Sequence, residues 1–199
     1  MARKLNPEQH EAKKQKILAA AHNCFLVHGL QGASISMICK EASMSPGHLY
    51  HYFASKDAII VAMTDEYLKS LHANINAHSE SDDTATVLVS ELWSMKSWTE
   101  VEHCRITFEL FAEAARNEKV REIMIANTDK VRQLLIATLR AGQARGDVDA
   151  SFDPEHTSTV LISLIYAAPM IPLIAPHSNF ETSRGLITMM IRKFLKPAA

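Results

Sequence analysis

Residues 45–56 read SPGHLYHYFASK and gather two histidines, two tyrosines, a phenylalanine and a lysine into one short run. His48 and His51 stand three apart, which on a helix brings both imidazoles to nearly the same side. That spacing suits half of a metal site, a piece of aromatic core or a surface that touches a partner. A metal needs further strong ligands close by, and the local sequence supplies only hydroxyls and Lys56. Helical periodicity pairs Leu49 with Phe53 toward a core. Gly47, His48, Tyr50 and His51 then fall on the other sides, with Tyr52 at the edge. Gly47 lets the backbone approach whatever lies opposite. Lys56 joins a cation to the start of the next helix, and both suit a phosphate oxygen.

The elements that must position this run are legible around it. Ile17, Ala20 or Ala21, Cys24, Phe25 and His28 recur at helical intervals, predicting a first helix over about 8–28 that ends at Gly29 in a left-handed conformation. Ser34 is placed to N-cap ISMICKEA, which turns Met37 and Ile38 inward. The turn SMS follows. Ser45 is a second N-cap, and Pro46 takes the first helical position, where its missing N–H costs nothing. Ser55 caps a long helix over about 55–77 with Asp57 in its first turn.

Two short capped helices joined by a three-residue turn describe a helix-turn-helix, whose second helix presents its N-terminal residues to base edges in the DNA major groove. Charge distribution agrees. The net charge of the 199-residue chain is −1, but residues 1–56 carry seven Lys and Arg against three Glu, an excess of +4, which leaves −5 on the remainder. A basic first part on an acidic body points to a polyanion met by that part alone. Arg3, Lys4 and Lys13 are further candidates for phosphate.

Residues 17–60 resemble the tetracycline-repressor-like (TetR) family of transcriptional regulators. The resemblance rests on the glycine ending the first helix, on Ser34 opening the second, and on SPGHLYHYFASKDAI. It implies that Ser34 and Ser36 touch phosphate or bases, and that Pro46, Gly47 and His48 read bases. It places Tyr50, His51 and Lys56 on phosphates and allows Tyr52 a DNA contact. One departure is visible: the turn usually written Ala-Gly-Val-Ser is here ASMS, with Ser43 in the glycine's place. If that position is left-handed, serine costs about 1 kcal/mol relative to glycine.

Beyond the connector HSESDD (78–83) the helices lengthen. Stripes run through Leu88, Leu92, Met95 and Thr99, through Cys104, Thr107, Phe108, Phe111 and Ala115, and through Val120, Met124, Val131, Leu134, Leu135 and Thr138. Asn117 is placed to end the second of these, and GQARGD the third. Asp153 and Pro154 open a helix toward Pro169, and a last helix covers about 180–195. The expected fold is all-α with about nine helices. Residues 1–54 form a three-helix helix-turn-helix domain, residues 55–199 form a larger helical bundle for ligand binding and dimerisation, and the 55–77 helix connects them. Trp93, His103, Phe108, Phe111, Asn127, Tyr166 and Met170 are candidate ligand-lining residues, with a place in the core as the alternative for each.

The resemblance implies a homodimer, and the apolar character of TVLISLIYAAPMI and LITMMIRKF gives a physical reason, since pairing the last two helices with their mates hides that surface. The expected partners are therefore a double-stranded DNA operator, a small-molecule effector and a second copy of the chain. The expected function is ligand-responsive regulation, most simply repression from an inverted repeat. The alternatives are an activator or architectural protein without an effector, and a helical ligand-binding protein whose DNA-binding part is vestigial.

No cofactor, metal or catalytic residue is expected. G-x-S-x-G, H-E-x-x-H and phosphate-binding glycine loops are absent. Cys24, Cys39 and Cys104 fall on apolar stripes with no C-x-x-C spacing, so a reducing cytoplasm is expected. The most apolar run, 160–176, is too short to span a membrane, is broken by Pro169 and Pro172, and is expected to be a buried helix.

Overall fold

The computed structural model describes residues 7–78, 83–94, 101–167 and 170–196. Among them the chain is all-α, with ten helices and no strand. They are α1 (Pro7–Gly32), α2 (Ile35–Glu41), α3 (Pro46–Tyr50), α4 (Lys56–His78), α5 (Thr84–Ser94), α6 (Val101–Arg116), α7 (Glu118–Arg145), α8 (Pro154–Ala167), α9 (Ile171–Ile174) and α10 (Phe180–Leu195). The extra element relative to the expected nine is α9. This single turn carries Pro172 near its start, where the missing N–H removes no helical bond.

The caps lie where short-range chemistry puts them. Ser34 Oγ accepts from the N–H of Met37, Ser45 Oγ from that of His48, and Ser55 Oγ from that of Ala58. Asp153 Oδ1 accepts from the Glu155 N–H ahead of Pro154. Asn117 does more than end α6. Its side chain accepts from the N–H groups of Lys119 and Val120, so it opens α7. That helix continues through Gly142 and stops at Gly146, which is left-handed at φ 83° and ψ 14°. Gly142 is required by close approach, since a β-carbon there would strike Thr84 and Val148.

The expected end of the first helix at residue 28 is corrected. Gly29 has φ 71° and ψ 171°, a kink rather than a left-handed terminus, and helical structure resumes to Gly32. The kink is held from outside α1 by α4 and α6. Ser43 does adopt the left-handed conformation, with φ 53°.

Three apolar clusters hold the elements. Ile17, Ala21 and Phe25 of α1 meet Ile38, Leu49, Phe53 and Ile59, and Ile106 and Leu110 of α6 pack against the same cluster. Leu88 of α5, Leu135 and Leu139 of α7, Leu161 of α8, and Ile191 and Leu195 of α10 form the second. Leu68, Leu71 and Ile75 of α4 with Val87 of α5 form the third, with Val131 and Leu134 of α7 packed against it. Each such large side chain contributes about 1.5–3 kcal/mol by burial. Cys24, Cys39 and Cys104 are buried and not joined in disulfides, and burial pushes the Cys24 and Cys39 thiols up, away from the reactive thiolate.

The run at 160–176 is not a buried helix. Val160, Leu164, Met170, Leu173 and Ile174 are exposed in the single chain. On α8, Val160 and Leu164 lie on a different face from Leu161 and Ile162, which enter the second cluster, while Met170, Leu173 and Ile174 lie beyond the end of α8, at and within α9.

Candidate nucleic-acid interface and effector region

Helix α3 is a five-residue element pinned through one side. Leu49 is fully buried and Phe53, just past its end, is nearly so. The opposite sides carry the residues with chemistry. Pro46, Gly47 and His51 are exposed, His48 is half-buried, and Tyr50 keeps 52% of its surface open. No β-carbon contact would constrain Gly47, so its backbone stands open to an approaching surface. Ser34 and Ser36 at the start of α2 are also exposed. Tyr52 is half-buried, with its ring packed among imidazoles rather than free in solvent. His48 and His51 both lean on that tyrosine. Among the described residues, no three His, Cys, Asp or Glu side chains converge as a metal site would require.

Lys56 departs from the outward position expected of it. Its Nζ donates to the carbonyls of Leu30 at 2.7 Å and Ala33 at 3.3 Å. The ammonium thus satisfies carbonyls at the C-terminal end of α1, where a helix leaves acceptors unpaired and favours a cation. It is half-buried in doing so.

Helix α6 grips the same end of α1. Glu109 Oε2 accepts from the Leu30 N–H at 2.5 Å, Arg105 donates to the Leu26 carbonyl, and Gln31 Nε2 donates to Glu113 Oε2 at 2.6 Å. Hydrogen bonds from Asn117, Arg116 and Gln31 hold the Glu113 carboxyl below its usual range. These contacts join residues about 80 positions apart, and sequence reasoning missed Arg105, Glu109 and Glu113. Their i, i+4, i+8 spacing marks one polar face of α6 but does not name what it meets.

Of the expected ligand-lining residues, the structure brings some together. Phe111 of α6 meets Tyr166 of α8 edge to face with centroids 5.0 Å apart, and the Tyr166 hydroxyl shares a 2.9 Å hydrogen bond with Thr128 of α7. Thr128 also walls a cleft of about 220 Å³ with Ala114, Arg121, Met124, Ile125 and Arg132. Asn127 turns elsewhere and donates to Thr64 Oγ1 of α4 at 2.8 Å, so a protein group supplies the partner its amide needs. Phe108 is half-buried, and Met170 is 41% exposed beside α9. The side chains of Trp93 and His103, like residues Met95 and Thr99, lie outside the described residues. No helix among the described residues is long and apolar enough to cross a membrane.

Comparison with known proteins agrees with this geometry. Residues 17–63 match the family described as bacterial regulatory proteins, tetR family, and residues 96–166 match the C-terminal domain of BetI-type transcriptional repressors. The HTH-type transcriptional regulator UidR of Escherichia coli is 27% identical over 153 residues, which cover 77% of this chain and 78% of UidR. The structure of Salmonella enterica GusR superposes with a TM-score of 0.76 at 27% identity, over 97% of this chain and 99% of GusR. The reduced form of Escherichia coli NemR gives 0.76 at 22% identity, over 94% and 99%, a likeness of fold. With the helix-turn-helix on one match and the helical body on the other, the chain belongs to the TetR family of DNA-binding transcriptional regulators, which are not enzymes.

Proposed function

We propose that the chain is a ligand-responsive repressor that binds an inverted-repeat operator as a homodimer and releases it when a small molecule binds. Residues 1–54 read DNA, residues 55–199 bind the effector and the second copy, and α4 belongs to both. On this reading His48, Pro46 and Gly47 meet base edges, Ser34 and Ser36 meet phosphates or bases, Tyr50 and His51 meet phosphates, and Tyr52 stands at the border of the contact. Lys56 acts indirectly, by holding the end of α1. The match to the BetI-type repressors favours repression. A regulator of this kind works in the cytoplasm, where the chromosome is.

The observation that carries the reading is the position of Glu109. It sits on the helix that also carries Phe108 and Phe111, and it is hydrogen-bonded to α1 beside the kink. An effector lodged against Phe111, Thr128 and Tyr166 displaces α6, and α6 drags α1 with it. Two recognition helices spaced for half-sites about 34–36 Å apart then lose their register. The effector acts only through its differential affinity for the two states.

A fluorescence titration against the chain's own promoter DNA at several salt concentrations tests this. Repression by the dimer requires a steep fall of affinity with salt and release of bound DNA by some member of a small-molecule panel. Absence of DNA binding at low salt sinks the proposal. Binding that no effector relieves reduces it to a constitutive DNA-binding protein.

A further inference from the structure

Tyr52 is surrounded by three imidazoles. Those of His48 and His51 lie with centroids 5.5 and 5.6 Å from the tyrosine ring, tilted by 58° and 90°. Chain proximity alone brings these two close. The third does not come from the helix-turn-helix. His10, in the second turn of α1, packs nearer than either, at 4.7 Å and a tilt of 32°. Its Nδ1 is buried and finds no hydrogen-bond partner among the described residues. No polar bond at Nδ1 therefore explains why the ring is there, and leaving that buried nitrogen unpaired opposes the arrangement. The ring-on-ring contact is what the site is built around.

We propose that His10 is a positioning residue of the DNA-reading surface: its ring holds Tyr52, and through it the C-terminal end of α3, against the first helix. This rests on the reading that α3 meets DNA. With five residues, α3 has little more than one helical turn and a single buried anchor of its own, Leu49. Rotation about that anchor swings His48 and His51 together. Phe53 limits the swing from the core side, and the His10–Tyr52 contact limits it from the side of α1. Aromatic pairs of this geometry carry preference beyond simple burial. The contact is between rings and involves no ion pair, so it acts on orientation and leaves the Lys and Arg contacts to phosphate, which set the salt slope, unchanged.

The test uses the full-length chain and a duplex selected from a random-sequence library by the wild-type protein. Affinities for that duplex and for an unselected duplex are measured by fluorescence anisotropy across a salt series, with urea unfolding of each variant alongside. His10→Ala is expected to weaken the selected duplex about three- to tenfold, with the unselected duplex changed by less than about twofold and the salt slope unaltered. The double variant with Tyr52→Ala is expected to be no weaker than Tyr52→Ala alone, because the two residues act through one contact. His10→Phe keeps a ring and is expected to recover affinity to within about twofold of wild type.

Losses that multiply in the double variant overturn the proposal. So does a His10→Phe as weak as His10→Ala, which makes the imidazole nitrogen itself the DNA contact. A parallel loss on both duplexes with a shallower salt slope makes His10 a phosphate ligand and likewise overturns it. If His10→Ala unfolds, His10→Phe and His10→Gln decide alone: support requires the ring to preserve affinity and the amide to lose it. If His48→Ala and Tyr52→Ala both leave binding untouched, the failure belongs to the assignment of α3 and not to His10.

Discussion

The carboxylate of Glu109 occupies the space where a β-carbon on Gly29 would stand, so helix α6 seats itself directly on the kink of α1. At φ 71° and ψ 171°, Gly29 lies in a backbone region that is essentially reserved for glycine. The two constraints add: any side chain at 29 strains the backbone and evicts the acceptor of the Leu30 N–H. Gly29→Ala is expected to lower the unfolding free energy by about 2 kcal/mol or more. Gly32→Ala is the control, since a β-carbon there meets only ordinary contact with His28 and the backbone is not left-handed. It should be neutral or stabilising by about 0.5–1 kcal/mol. Urea unfolding of both variants checks the contrast, and equal effects would remove Gly29 from the joint.

Ser43 gives a case of the opposite sign. Its φ of 53° is unfavourable for a residue with a side chain, and that side chain is exposed. The turn survives because its backbone is held elsewhere. The Ser43 N–H donates to the Lys40 carbonyl and the Met44 N–H to that of Cys39. Ser43→Gly should therefore raise stability by about 0.5–1 kcal/mol, the left-handed penalty relieved less the extra freedom glycine gives the unfolded chain. The denaturation midpoint should rise with an unchanged slope and operator affinity should stay level.

Lys56 separates two roles that its place in the sequence leaves merged. Bonded to the Leu30 and Ala33 carbonyls, its ammonium belongs to the joint between α1 and α4. Lys56→Met keeps the apolar stem and removes the donors. Stability should fall by about 1–3 kcal/mol. The slope of log affinity against log salt should change by much less than the roughly 0.9 that one phosphate contact contributes. Unchanged stability with a full unit lost from the slope would return Lys56 to the DNA backbone.

Local signals carried most of what the sequence disclosed. Ser34, Ser45 and Ser55 each cap an N–H three residues on, so the spacing of two residue types is enough to read them. Leu49 and Phe53 were legible as core for a similar reason, four residues apart on one helical face. What stayed hidden is long-range and polar. The Glu109–Leu30 bond spans 79 residues and Asn127–Thr64 spans 63. Nothing in the pattern around either partner specifies the other. The kink at Gly29 was misread for that reason: a glycine at a helix end signals termination, and only α4 and α6 make it a bend. The apolar surface of α8 was read both as a buried helix and as surface for a second copy, because apolar periodicity does not say whether the covering surface is in the same chain.

Acid should loosen the body of the protein. At Asp83, burial alone would push the carboxyl up, but hydrogen bonds from the Thr86 hydroxyl and N–H prevail, aided by Arg192, and hold it below its usual range. Asp153 is held low by the Glu155 N–H, and His156 contributes in the same direction. A carboxylate lowered in the folded state adds stability that is fully present above its unfolded value and is lost as pH falls through the folded one. The ordinary values are 3.8 for aspartate and 4.5 for glutamate. Unfolding free energy should thus be level in these terms above about pH 5 and decline below about pH 4.5. Asp83→Asn should lower stability at neutral pH and flatten part of that decline. A decline as steep as wild type would show that Asp83 has no share in it.

The apolar stripe left uncovered on α8 and α10 leads to the last prediction. Val160 and Leu164 stand one turn apart on α8, and Leu186, Met189 and Met190 share a side of α10, with Met190 61% exposed. Ile191 and Leu195 of the same helix are buried in the second core cluster, so each helix has one face inward and one face open. Two such pairs facing each other across a twofold axis would form a four-helix interface in which each helix completes what its mate lacks. Glutamate at Leu164 and Met190 places like charges at the centre of that interface and disturbs no buried contact of the single chain. Leu164→Glu with Met190→Glu should sediment as a monomer with unchanged helical circular dichroism. Its affinity for a two-half-site operator should fall at least tenfold, since joining two modules raises avidity by about 10²–10⁴. Affinity for an isolated half-site should stay level, because the reading surface is untouched. A variant that remains dimeric, or a monomer that grips the full operator as tightly as wild type, would put the second copy on another face.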